Sequence, residues 1–279
     1  MRGKNILVRP VLKWVGGKRQ LLDEITPLIP KASTYVEPFV GGGAVVFSKQ
    51  PKKAILNDFN SELINVYQCI KDNPDDLLSL LKEHAEKNTA DYFYSIRALD
   101  RESGYAGLSS VERAARIIYL NKTCYNGLYR VNAAGQFNAP YGKYKHPSII
   151  QEPVIRAVSR YFRENEITLM QGDYAKALKG LRRGAFVYLD PPYMPLSETS
   201  AFTGYTEGGF DYGEQVRLKN KCDELVSKGI HFLESNSDCE AIRDLYSDQH
   251  FRIRTVKAKR AINSKGNHRG EINEVLISG

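Results

Sequence analysis

Several features that would tie a chain to metal, membrane or an oxidising compartment are missing here. The four cysteines, Cys69, Cys124, Cys222 and Cys239, stand singly, with no C-x-x-C pair and no Cys/His cluster. That pattern suggests neither a zinc site nor a disulfide framework. His84, His146, His231, His250 and His268 fall at no ligand spacing, so no metal is expected. Tryptophan occurs once, and neither repeats nor low-complexity tracts are present. No apolar run approaches the roughly 20 residues a membrane helix needs, and the opening "MRGKNILVRPVLKW" lacks the apolar core of a signal peptide. A soluble, cytoplasmic protein without a membrane partner is the expectation.

Acid is missing locally. From Arg113 to Gln151 there is no Asp or Glu, while Arg113, Arg116, Lys122, Arg130, Lys143 and Lys145 fall inside. From Phe251 to Gly270 acids are absent again, and Arg252, Arg254, Lys257, Lys259, Arg260, Lys265 and Arg269 accumulate. Within a net charge of +8, two such blocks read as a phosphate footprint, against the plainer reading of two solvated faces.

What is present is an α/β pattern with an interruption. "TYVEPFVGGGAVVFSKQ" runs from a short strand into three glycines and a helix, and "AILNDFN" follows as a strand ending at Asp58. From Ser61 the pattern turns helical; Pro74 suits the first position of a helix, and Ser109 with Glu112 forms a capping box. "YNGLYRVNAAGQFNAPYGKYKHP" reads as a hairpin turning at Ala133, Ala134 and Gly135. After Gln151 the alternation resumes with "EITLMQGDY", "AFVYLDPPY", "IHFLESNSD" and the terminal pair "FRIRTVKAKR" and "EINEVLISG". One α/β domain is therefore expected from residues 1–60 and 152–279, with 61–151 inserted as a mainly helical unit carrying the hairpin.

"AFVYLDPPY" carries the chemistry. A buried apolar strand delivers Asp190 into Pro191, Pro192 and Tyr193 at a strand's carboxyl end, where open α/β sheets bind ligands. Prolines lock φ and have no N–H, which leaves nearby carbonyls free to accept. A carboxylate, a fixed carbonyl and the aromatic face of Tyr193 make a slot for a flat molecule bearing an NH2 group. Gly41, Gly42 and Gly43 let backbone approach a ligand at a helix start, and Asp58 is placed to accept from ribose hydroxyls.

In order, "VLKWVGGKRQLL", "VEPFVGGGAV", "LNDFN" and "YLDPPY", with a long insertion before the last, resemble the Dam-type DNA adenine-N6 methyltransferases, which modify GATC. The resemblance spans about Val11 to Ile277. It implies a Rossmann-like, seven-stranded S-adenosylmethionine-dependent sheet with an inserted target-recognition domain, acting as a monomer on double-stranded DNA. It implies cofactor contacts from Trp14, Lys18, Phe39, Gly41, Gly43, Asp58, Asp173, Tyr174 and Asp190, and catalysis by Asp190 with Pro191, Pro192 and Tyr193 on an adenine flipped from the duplex. On the hairpin, Arg130 has the chemistry to pair with guanine, Leu128 to touch a thymine methyl, and Asn126 and Asn138 to bond base edges or phosphates. By resemblance, Lys13 adds a guanine contact, Tyr125 wedges into the opened stack, Pro140 and Tyr144 lie at the DNA with Asn126, and Lys143 meets phosphate; Lys122 stands where some relatives place a phosphate-binding Arg. The loop "MPLSETSAFTGYTEGGF", long, Gly-rich and polar, reads either as a segment closing over the base or as a passive connector. A cytosine-N4 or RNA adenine methyltransferase on the same fold, and a non-catalytic DNA-binding regulator, are the rivals; Asp190 and the intact Lys18 and Asp58 argue against them.

Overall fold

The computed structural model describes residues 4–195, 209–259 and 271–279. Its strands are β1 (Thr34–Glu37), β2 (Lys53–Asp58), β3 (Glu166–Gln171), β4 (Ala185–Leu189), β5 (His231–Ser237), β6 (Arg252–Lys259) and β7 (Glu271–Ser278). They form one sheet ordered β3-β2-β1-β4-β5-β7-β6, parallel from β3 to β5, with β7 antiparallel to both of its neighbours. The described α-helices are α1 (Leu22–Ile25), α2 (Ala44–Lys49), α3 (Ser61–Asp72), α4 (Pro74–Glu86), α5 (Ala90–Ala98), α6 (Ser110–Thr123), α7 (Glu152–Glu164), α8 (Tyr174–Leu178), α9 (Tyr212–Ser227) and α10 (Glu240–Leu245). This is the expected α/β fold of an S-adenosylmethionine-dependent methyltransferase.

Strand β4 is apolar at every position because both faces of the sheet are covered. Ala185, Val187 and Leu189 pack with Leu218, Cys222 and Leu225 of α9, while Phe186 and Tyr188 face the larger core shared with α3, α6 and α7. Each such aliphatic or aromatic side chain contributes about 1.5–3 kcal/mol by leaving water.

The insertion is organised around α6. Its capping box is formed on both sides, with Ser109 Oγ accepting from Glu112 N and the Glu112 carboxylate from Ser109 N. Helix α3 packs against α6 and also against α7 and β3, so it joins the insertion to the sheet. Arg116, expected in a phosphate footprint, is instead buried, paired with Asp100 at 2.8 Å and donating to the carbonyls of Ile96 and Arg97.

The excursion after α6 folds back as anticipated, but as isolated bridges, Cys124 to Tyr141 and Val131 to Phe137, not as paired strands. Local bonds compete with a ladder: Asn132 Oδ1 accepts from Ala134 N and Gln136 N, closing the turn, and Asn126 and Lys143 adopt positive φ of 59° and 53°. Gly142 is required for close approach, since a Cβ there would meet the Thr123 and Cys124 carbonyls at 2.9 Å.

Candidate active site

Sheet order reverses between β1 and β4, which are hydrogen-bonded neighbours whose chain continuations lead to opposite sides. Beyond their carboxyl ends lie the loop from Pro38 to Gly43 and the segment from Asp190 to Tyr193, on either side of the crevice such a reversal opens. Gly41 is clamped there: its N–H donates to Asp58 Oδ2 (2.9 Å), its carbonyl accepts from Tyr67 Oη (2.6 Å), its φ is +47°, and a Cβ would meet the Trp14 ring at 3.0 Å. Asp58 Oδ1 also accepts from Asn60 N at 2.9 Å. Burial raises the Asp58 pKa, against the pull of those backbone N–H groups.

Asp190, 20% exposed, is paired with Lys18, 6% exposed, at 2.7 Å. The Lys18 ammonium also donates to the Gly16 carbonyl (2.7 Å) and lies 4.6 Å from the centroid of the Tyr193 ring. Burial pushes the Asp190 carboxyl up to about 6; Lys18 opposes the shift and Glu274 adds to it. Tyr193 Oη donates to Glu274 at 2.6 Å, fixing the ring from β7. The Pro192 carbonyl is taken by Gln215 Nε2 (2.9 Å), whereas no described residue donates to the Pro191 carbonyl. Beneath the sheet end, Glu37 is pushed up to about 8 by burial and accepts from Tyr35 Oη at 2.8 Å.

A second wall is aromatic. Phe39 lies 5.1 Å from Tyr174 and 5.7 Å edge-on from Phe210, and the buried Tyr174 hydroxyl has no partner among the described residues. Asp173 caps α8 through Ala175 N and is gripped by Arg217 at 2.8 and 2.9 Å, which holds its carboxyl below the usual range. The guanidinium also stands 4.8 Å over the Tyr174 ring.

Trp14 links this crevice to the excursion, because its indole packs on Gly41 and Gly42 and stacks on Tyr129 at 4.7 Å and 20°. Lys13, Tyr125, Pro140, Lys143 and Tyr144 are exposed, Tyr125 by 59%, while Asn126, Leu128, Arg130 and Asn138 are half-buried. Arg130 Nε donates to Asn138 Oδ1 at 2.7 Å, so the two are held together. Lys122 does not reach outward: it donates to the Val11 carbonyl and, at 3.3 Å, to Gln151 Oε1, and burial beside Arg19 and Arg9 brings its pKa down to about 8. In the second basic block Arg254 is paired with Glu24 at 2.6 Å, while Arg260, Lys265 and Arg269 lie outside the described residues, as do positions 196–208 of the proposed closing loop. Tyr67, Tyr129, Gln215, Arg217, Asn236 and Glu274 are site neighbours that sequence reasoning passed over. The acid and amide inside the buried strand "HFLESNS" were the one visible signal.

With that geometry in place, the profile of the D12 class of N6 adenine-specific DNA methyltransferases matches residues 14–262. The chain belongs to that family. The type II methyltransferase M1.LlaDCHI of Lactococcus lactis subsp. cremoris is 47% identical, covering 100% of this chain and 98% of its own. M.MjaIII, a type II methyltransferase of Methanocaldococcus jannaschii, is 39% identical over 97% and 98%, and a DNA adenine methylase of Escherichia coli K12 is 35% identical over 96% and 94%. This D12-class enzyme methylates adenine in DNA at N6. Among the described residues no helix is long and apolar enough to cross a membrane.

Proposed function

We propose that the enzyme transfers methyl from S-adenosylmethionine to N6 of an adenine rotated out of the duplex, within GATC. The observation that carries this reading is the Asp190 carboxylate beside a Pro191 carbonyl without a described donor, at the carboxyl end of β4 in the switch-point crevice. S-adenosylmethionine, when bound, supplies a methyl group on a cationic sulfur.

The chain's residues fit that donor. The rings of Phe39, Tyr174 and Phe210 suit a flat base, and the unpartnered Tyr174 hydroxyl offers it a hydrogen bond. Asp173, immobilised by Arg217, borders that patch. Asp58 has lone pairs left for ribose hydroxyls while it holds Gly41, and Gly43, Trp14 and Lys18 complete the wall.

The amino nitrogen of adenine is a poor nucleophile because its lone pair is delocalised into the ring. Asp190 and the Pro191 carbonyl accept its two hydrogens and pyramidalise the nitrogen, so that its lone pair leaves conjugation with the ring, and Tyr193 stacks on the base. Catalysis is then chiefly orientation and complementary charge. A carboxyl near pKa 6 is ionised at neutral pH and also basic enough to take the extra proton after transfer. A crevice at the end of a sheet cannot reach a base inside a stack, which supports base rotation.

In this reading residues 61–151 form the recognition unit on a catalytic domain of 1–60 and 152–279. Lys13, Asn126, Leu128, Arg130 and Asn138 face bases, Tyr125 fills the opened stack, Pro140 and Tyr144 abut the DNA, and Lys143 meets phosphate. Asp190→Ala should abolish methyl transfer while retaining duplex binding; near-normal turnover would remove the mechanism. Sequencing of adenines methylated in a plasmid tests the site: marks outside GATC would overturn that part.

A further inference from the structure

The segment carrying Asp190 is held from behind by a chain of buried polar groups that the reading above does not use. Glu234 of β5 is fully buried and accepts from Tyr246 Oη (2.6 Å) and Asn236 Nδ2 (2.9 Å). Tyr246 Oη on Oε2 can either give or take a proton, so Oε1 stays an acceptor in either charge state of Glu234 and the Asn236 amide is locked with its nitrogen inward. Its Oδ1 is thereby turned to the N–H groups of Met194 (3.2 Å) and Ser237 (2.9 Å). The same Nδ2 donates to Gln215 Oε1 at 3.0 Å, which locks the second amide in turn. Gln215, 1% exposed, is left with Nε2 on the Pro192 carbonyl at 2.9 Å. Ser237 Oγ holds the Met194 carbonyl at 2.6 Å. Pro191 and Pro192 have no N–H to anchor this turn, so side chains hold it: Lys18 and Glu274 at its two ends and these groups from behind.

We propose that Glu234, Asn236 and Gln215 form a positioning relay, in which the polarity of one buried carboxylate sets two amides and aims the Pro191 carbonyl, beside Asp190, at the amino group of the substrate base. This rests on the reading that those two oxygens accept that group's hydrogens. Gln215 is a positioning residue, acting through the Pro192 peptide and not on the substrate.

The test uses the full chain, a duplex with one target adenine and saturating S-adenosylmethionine. Single-turnover rate, donor affinity, duplex affinity and thermal midpoint are measured from pH 6 to 9 for Gln215→Leu, Gln215→Glu and Asp190→Ala. Gln215→Leu removes the donor and should slow transfer roughly tenfold to a hundredfold, with both affinities within about twofold of wild type. Gln215→Glu is isosteric and remains informative where Gln215→Leu fails to fold. Its protonated carboxyl, favoured by burial, still donates to Pro192, whereas its ionised form cannot donate and repels the carbonyl. Its rate should therefore fall about tenfold or more as pH rises, at constant donor affinity, a limb the wild type lacks. A Gln215→Glu profile parallel to wild type, or a rate loss matched by equal losses in both affinities, overturns the relay. If Asp190→Ala is inactive while both Gln215 variants turn over normally, the relay alone fails. If Asp190→Ala keeps its rate, the acceptor reading itself fails.

Discussion

Lys18 and Asp190 meet at 2.7 Å in a site that excludes most water, so the cation bears directly on the charge of the carboxyl. Burial pushes Asp190 up to about 6 and Lys18 holds it back from rising further. The acceptor role needs the ionised carboxylate, so transfer should decline as pH falls through about 6. Removing the cation with Lys18→Met raises the carboxyl's affinity for protons, and the acid limb of single-turnover methylation, at saturating donor, should move to higher pH. An unmoved limb would show that Lys18 does not govern Asp190. Lys143 presents the opposite relation between charge and fold. It is exposed and holds a positive φ that costs a non-glycine residue roughly 1–2 kcal/mol. Lys143→Gly should leave the thermal midpoint unchanged or higher, while weakening duplex binding for all sequences and reducing the salt slope by about 0.9. A lowered midpoint with unchanged DNA affinity would make the residue structural.

Among the elements, the excursion from Tyr125 to Tyr144 is where the proposed reading puts recognition, and there Arg130 is preset by Asn138 at 2.7 Å. Arg130→Ala should cost about 1–3 kcal/mol of discrimination at one guanine and relax methylation there, read by sequencing the modified adenines. Unchanged marks would move base reading to another element. Much of this level was legible beforehand. All seven strands fall within segments that the sequence marked as extended, and Asp190 stood out because an acid closing a strand buried on both faces has few structural uses. The ladder of the excursion was overestimated because side-chain bonds from Asn132 compete locally with strand pairing. Glu274 and Gln215 were invisible as site neighbours because their proximity to the Asp190 segment depends on β7 inserting antiparallel beside β5 and on α9 packing behind β4. Lys122 looked like a surface cation since sequence does not reveal that Val11 and Gln151 offer acceptors under it.

At the scale of the whole molecule, the catalytic end of the sheet is an accumulation of buried acid. Glu37 is pushed up to about 8, Glu234 to about 7 and Asp190 to about 6, each chiefly by burial. In the unfolded chain such groups titrate near 4. The folded protein therefore binds more protons than the unfolded one between about pH 4 and 8, and stability falls as pH rises through that window. Glu37→Gln keeps an acceptor for Tyr35 and removes one of these ionisations, so it should raise the thermal midpoint at pH 8 and flatten its dependence between pH 6 and 8; an undiminished slope would assign the effect to other groups. The fold also brings its only tryptophan between the glycine loop and the excursion, stacked on Tyr129. Emission excited in that one indole arises at the seam between the glycine loop and the excursion, and on the proposed reading the unlabelled enzyme is thereby its own optical probe for the order in which donor and DNA arrive.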